Sequence, residues 1–254
     1  MGKKLLIRAD DLGFSEATNY GIAKTVKEGI IRSVGLMPGM PAAEHGYRLI
    51  REEKVCLGQH TNICVGRPLV DPARIPSITN ADGTFKSSKE YRAATEDFVV
   101  LDEVILEIEA QYERFVELTG REPDYFEGHA VSSANFFKGL EIVAGRHGLD
   151  YLAFAPGEKP ISFGTGKLYF YMDSMKPDYD PYASLVNCLE HAHEDGAEMF
   201  VCHPGYLDAY ILEHSSLTFP RVKEVEMCCA ARTKEYLEEH QIELITYYDL
   251  KRRA

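Results

Sequence analysis

Four short apolar runs in this chain each end in a residue able to hold a metal or move a proton. "LLIRADD" ends in Asp10 and Asp11, "VCLGQH" in His60, "YFEGH" in His129, and "MFVCHP" carries His203 just before its proline. Runs of this length and composition read as buried strands, and the segments between them carry helical periodicity, the pattern of successive βα units. Parallel strands curling into a barrel bring their C-terminal ends to one rim, where active sites form. The shared placement therefore predicts an α/β fold, a TIM-like (β/α)-barrel variant, with these five side chains on one rim. A length of 254 residues suits a single catalytic domain over 1–254.

The remaining candidate strands are "SVGLMPG", "LDYLAFA", "KLYFYM" and "IELITYY". Leu101, Val104, Ile105, Ile108, Tyr112 and Phe115 recur at helical spacing, and Gly120 supplies the stop. Another helix is expected after Gly13, capped by Ser15 and running to Gly29. Residues 66–95, 156–184 and 204–222 read as irregular, the kind of insertion that builds a substrate cleft on a barrel rim.

Adjacent aspartates repel, and on a regular strand their side chains would point to opposite faces. A metal resolves the difficulty. One carboxylate and two imidazoles from separate strands make a site with open positions for water and substrate. A second carboxylate can take a proton from the attacking water, and a further imidazole can protonate a leaving group. His45, His147, His191, His193, His214 and His240 fall in helical or loop contexts and read as structural; His191 and His193, two apart, would face different directions on a helix. Arg67 and Arg221 are candidates for a phosphate or sugar hydroxyl, or equally for surface and helix-capping roles. Tyr169, Tyr171, Tyr179, Tyr182, Tyr206 and Tyr210 are candidates for sugar-stacking walls.

A net charge of −12 argues against a general nucleic-acid or anionic-membrane surface. The six cysteines form no CxxC pair and read as reduced, mostly buried thiols. The apolar run near the N-terminus is too short for a signal peptide, and no stretch approaches the ~20 apolar residues of a membrane span, so a cytoplasmic protein is expected. A homodimer is the base-rate expectation for a barrel enzyme.

In order along the chain, "ADDLGFSEATNYGIAKTVKEGIIRSVGLM", "LGQHTNICVGRPL", "ADGTF", "EGHAVSS" and "CHPGYLD" resemble the YdjC-like carbohydrate deacetylases, the group that includes chitooligosaccharide deacetylases. The correspondence continues through "TFPRVKEVE" to "IELITYYDL". The resemblance implies a polysaccharide-deacetylase-type barrel that removes acetyl groups from a small N-acetylated saccharide, a phosphorylated chitooligosaccharide among them. It also implies Asp11, His60 and His129 as ligands of one divalent metal ion, Asp10 as general base, and His203 as acid or substrate-orienting group. Family members are usually described with Mg²⁺; the ligand chemistry puts Zn²⁺ at least level with it. A metallohydrolase acting on another amide or ester, or a non-catalytic sugar-binding relative, are the alternatives. Four positions depart from the family pattern. Val131 and Ser133 stand where further histidines are common, Arg8 where an Asn often precedes "ADD", and Gln59 where an apolar residue is more usual.

Overall fold

The computed structural model describes residues 2–153 and 159–251. Its strands are β1 (Lys4–Leu12), β2 (Ser33–Leu36), β3 (Cys56–Thr61), β4 (Phe126–Gly128), β5 (Ile161–Phe163), β6 (Gly166–Tyr171), β7 (Ala197–Cys202) and β8 (Glu243–Ile245). They form one sheet in the order β4-β3-β2-β1-β7-β6-β5, with β8 also on β1. Every pairing is parallel except the β5–β6 hairpin. Among the described residues no pairing joins β4 to β5, so the barrel is open.

Period-two alternation decides what each strand points inward. On β1, Leu5, Ile7 and Ala9 join the outer core, which packs against α1 (Glu16–Lys27), α2 (Ala43–Ile50), α6 (Pro181–Glu190) and α8 (Phe219–Cys229). Leu6 joins the inner core, and Arg8 and Asp10 continue its face. The same step carries Cys56 to Gly58 and His60 on β3, Tyr125 to Glu127 and His129 at β4, and Ala197 to Met199, Val201 and His203 at β7. The bottom of the barrel is apolar and its top polar. A third core, carried by α4 (Leu101–Thr119) and α5 (Ala134–Arg146), closes the side next to β4.

The helix expected from Leu101 forms, and Gly120 ends it in the left-handed conformation, φ +70°. Ser15 caps α1 by accepting from the Thr18 amide, although α1 ends at Lys27, ahead of Gly29. All six cysteines are free thiols, five of them buried. No described helix is long and apolar enough to cross a membrane.

Three expectations need correction. "LDYLAFA" forms only a single parallel bridge, Tyr151 to Phe126, and Phe154 and Ala155 lie outside the described residues. Residues 156–184, expected to be irregular, hold the β5–β6 hairpin and the start of α6, because Leu168 and Phe163 pack into the inner core. Residues 204–222 hold α7 (Ala209–His214) and the first turn of α8, nucleated by Asp208 accepting from the Ile211 amide and by Pro220 in the first turn. Within 66–95 the one α-helix is α3 (Ser88–Ala93), fixed by a Ser87–Glu90 capping box.

Candidate metal centre

A bulge at the top of β1 explains how two consecutive aspartates serve one site. Ala9 pairs with Val34 and Leu12 with Leu36, so Asp10 and Asp11 together oppose the single residue Gly35. Asp11 takes φ +74°, a left-handed conformation that costs an ordinary residue about 1–2 kcal/mol. The turn keeps both carboxylates buried at the inner end of the strand, at 2% and 0% exposure for Asp10 and Asp11.

Asp11 Oδ1 lies 3.3 Å from His60 Nε2 and 3.1 Å from His129 Nδ1, and the two imidazole nitrogens are 2.9 Å apart. These three atoms form a candidate ion-binding group. His60 Nδ1 donates to Glu127 Oε1, which leaves Nε2 with its lone pair turned to the other two atoms. Asp11 Oδ1 has no hydrogen-bond partner although it is buried. Three electron-pair donors in mutual contact need a positive charge among them, and a triangle of these edges accepts an ion about 2.0–2.2 Å from each corner. The donor set fits a divalent cation, and a histidine braced from behind by a carboxylate is the usual support of such ligands.

The surrounding charges are fixed by two buried arginines. Arg221 Nη2 donates to Asp11 Oδ2 at 2.7 Å, and Arg221 Nε to the Leu217 carbonyl at 2.9 Å. Arg8 Nη2 donates to Asp10 Oδ2 at 2.8 Å and to Glu127 Oε2 at 3.3 Å, and its Nη1 to the Tyr247 hydroxyl at 3.0 Å. Burial alone would raise the Asp11 carboxyl; Arg221 and His129 outweigh it and hold Asp11 well below the carboxylate range. Burial would likewise lower the imidazoles, but Glu127 and Asp10 drive His60 well above its ordinary value, and Asp11 with Cys64 brings His129 to about 9. Two guanidinium groups against three carboxylates leave this cluster short of positive charge, which the imidazoles supply as protons when no cation does.

His203, at the end of β7, is differently placed. Burial pushes it down to about 4, against the opposing pull of Asp11 and Asp10, so the ring is neutral, and its Nδ1 has no partner. Its backbone amide donates to Glu224 Oε2 at 2.6 Å. Glu224 and Arg221, three apart on α8, thus fasten the ends of β7 and β1.

All five expected residues line one cavity of about 350 Å³, together with Arg8, Glu127 and Arg221. Arg221 is therefore a buried partner of Asp11, which corrects the surface or capping reading, whereas Arg67 is exposed. None of the six candidate tyrosines is among the described lining residues; the aromatic lining is Phe14, Phe137 and Phe170. Ser133 caps α5, accepting from the Phe136 amide and donating to Asp97, and Val131 packs into the core at the cavity edge. Glu127 and Arg8 went unassigned in the sequence. Their signal was the two-residue step, since each precedes an expected site residue on the same face.

Fold and site together define an open (β/α) barrel with a His₂–Asp cluster at the C-terminal rim. The chain belongs to the YdjC-like protein family, whose model matches residues 4–239. It is 32% identical, over 98% of this chain and 100% of the relative, to carbohydrate deacetylase 2 of Listeria innocua. It is 27% identical to the chitooligosaccharide deacetylase of Escherichia fergusonii, over 98% of this chain and 100% of the relative. Among solved structures, an Enterococcus faecalis protein named for cellobiose-phosphate cleavage matches with a TM-score of 0.84 at 22% identity, covering 99% of this chain and 100% of its own.

Proposed function

We propose that this chain is a metal-dependent hydrolase that removes the acetyl group from a small N-acetylated saccharide. The convergence of Asp11 Oδ1, His60 Nε2 and His129 Nδ1, three buried ligand atoms within 3.3 Å of one another, carries the proposal. The names of the relatives in Listeria and Escherichia support the choice of substrate. The cavity volume is in the range of small-ligand sites.

In this reading Asp11, His60 and His129 hold the cation, and two imidazoles with one carboxylate favour Zn²⁺ or another transition ion over oxygen-seeking Mg²⁺. The ion supplies a carbonyl-polarising charge and an acidified water. Asp10 accepts the proton of the attacking water through Oδ1, its unpartnered oxygen, while Oδ2 stays on Arg8. A carbon–oxygen bond forms as the amide carbon–nitrogen bond breaks, and acetate and a free sugar amine leave. His203, neutral at rest, takes a proton from solvent water as negative charge builds opposite it and passes that proton to the departing amine, while the proton on Asp10 returns to solvent as acetate leaves. The exposed Arg92 on α3 also lines the cavity and offers a cation to a phosphorylated sugar.

The test is acetate release from N-acetylated mono- and disaccharides, with and without 6-phosphate, and from O-acetyl controls, across several metals. Asp10→Asn is expected to bind the ion and turn over at least 100-fold more slowly, whereas Asp11→Asn loses the ion. Sugar binding without acetate release under every condition would sink the proposal.

A further inference from the structure

Arg8 is the departure for which the family resemblance offered no reason. Its side chain is 5% exposed and runs along the inner face of β1 between two carboxylates. A single nitrogen, Nη2, serves both. It holds Asp10 Oδ2 at 2.8 Å and Glu127 Oε2 at 3.3 Å. The other oxygen of each carboxylate faces the chemistry: Glu127 Oε1 accepts from His60, and Asp10 Oδ1 has no partner. Asp10, His60 and Glu127 also form a second group with the spacing of an ion site, and the guanidinium lies against the two carboxylates of that group.

The guanidinium is itself held from behind. Nη1 donates to the Tyr247 hydroxyl, whose own proton turns toward Met199 Sδ at 3.2 Å. The Tyr125 ring lies 5.9 Å below the guanidinium carbon and stacks on Tyr247 at 4.0 Å. A cation in this position is costly to bury unless its partners are fixed, and here each partner is buried and in contact. An arginine so enclosed cannot swing between roles.

We propose that Arg8 is a positioning residue that acts as a fixed internal cation. It occupies the place a second metal ion would take, ties down one oxygen of Asp10 so that Oδ1 alone receives the proton, and anchors the Glu127 carboxylate that orients His60. The site is then mononuclear because the protein supplies the second positive charge. The inference rests on the roles of Asp10 and His60 given under the proposed function.

Arg8→Lys keeps the charge, and Arg8→Asn removes it while leaving room. Equilibrium titration with Mn²⁺ alone should give one ion per chain for the native protein and Arg8→Lys, and a second, weaker ion for Arg8→Asn. This readout does not depend on any substrate. In acetate release, Arg8→Asn should lower kcat roughly 100-fold with KM within about threefold, and Arg8→Lys should stay within about tenfold of the native rate. Because Arg8 acts in part through Asp10, Arg8→Asn should cost clearly less kcat when added to Asp10→Asn than it costs alone, the remainder coming through Glu127 and His60. One ion in every variant, or equal kcat losses in the native and Asp10→Asn backgrounds, would overturn the proposal. Absence of acetate release from the native protein, with the ion counts as stated, would instead reject the deacetylase reading and leave the internal cation standing. Should Arg8→Asn fail to fold, Arg8→Lys decides alone: two ions bound, or a kcat loss as large as that of Asp10→Asn, overturns it.

Discussion

Arg221 Nη2 meets Asp11 Oδ2 at 2.7 Å across 210 positions of sequence, and both side chains are almost fully buried. The pair joins α8 to the bulge of β1 and leaves Asp11 Oδ1 free for the two imidazoles. Replacing Arg221 with Leu strands a buried carboxylate, a change of about 3–5 kcal/mol in comparable pairs. At this chain length that corresponds to a melting temperature lower by roughly 6–20 °C. A divalent ion would restore part of the lost charge, so the gap should narrow in saturating Zn²⁺. Thermal unfolding with and without metal checks this; an unchanged gap would argue that Asp11 does not touch the ion.

Gly35 stands opposite the two bulged aspartates. A Cβ there would sit 3.0 Å from Asp10 Oδ1 and 3.1 Å from His60 Cβ, closer than ordinary packing allows. Gly35→Ala must therefore displace the oxygen assigned as proton acceptor, or the ring behind it, by a few tenths of an ångström. The expected result is a kcat about tenfold lower with stability changed by less than ~1.5 kcal/mol. Kinetics and urea unfolding on the same preparation separate the two effects.

Glu127 supports His60 from behind, and its Oε1 accepts the imidazole Nδ1 proton. Loss of such a supporting carboxylate typically weakens a metal site 10–100-fold. Glu127→Gln is expected to do so here without unfolding the chain, because the amide oxygen can still accept from Arg8. Competition against a coloured chelator measures it. Native affinity in Glu127→Gln would mean that the carboxylate is not needed to orient the ring.

The rim residues were legible because strand alternation and the barrel rule act locally: Asp10, His60, His129 and His203 each end an apolar run. The bulge was not legible. Nothing in "RADDLG" announces a left-handed aspartate, since the conformation is held by pairing with β2 and by Arg221, both distant in sequence. Arg221 was open to a substrate-binding role and equally to a surface or capping one, and only its contacts with Asp11 and the His203 carbonyl, both distant in sequence, decide where it points. The tyrosines failed as cavity residues for a related reason. Tyr179 turns away to donate to the buried Glu224, and Tyr169 on β6 stacks on His193. Composition gives the number of aromatics, and topology gives their direction.

Glu107 is a buried acid in the middle of α4, and its carboxylate accepts from the Leu69 and Val70 amides and from Gln111 Nε2. Burial raises it to about 7; the three donors oppose the shift and fail to cancel it. In the unfolded chain it titrates near 4.5. The folded state therefore binds the extra proton between these values. Its contribution to stability is complete below about pH 4.5 and is lost as the pH rises through 7, amounting to about 3 kcal/mol. Glu107→Gln cannot ionise, though its amide meets the Gln111 donor and costs about 1 kcal/mol. The difference in unfolding free energy between native and variant should thus favour the native protein at pH 4 and reverse in sign by pH 8, with contributions from other titrating groups cancelling in the subtraction. Urea unfolding at the two pH values gives the difference directly. A difference that does not change with pH would place the Glu107 proton elsewhere and leave the loop after β3 held by an ordinary carboxylate.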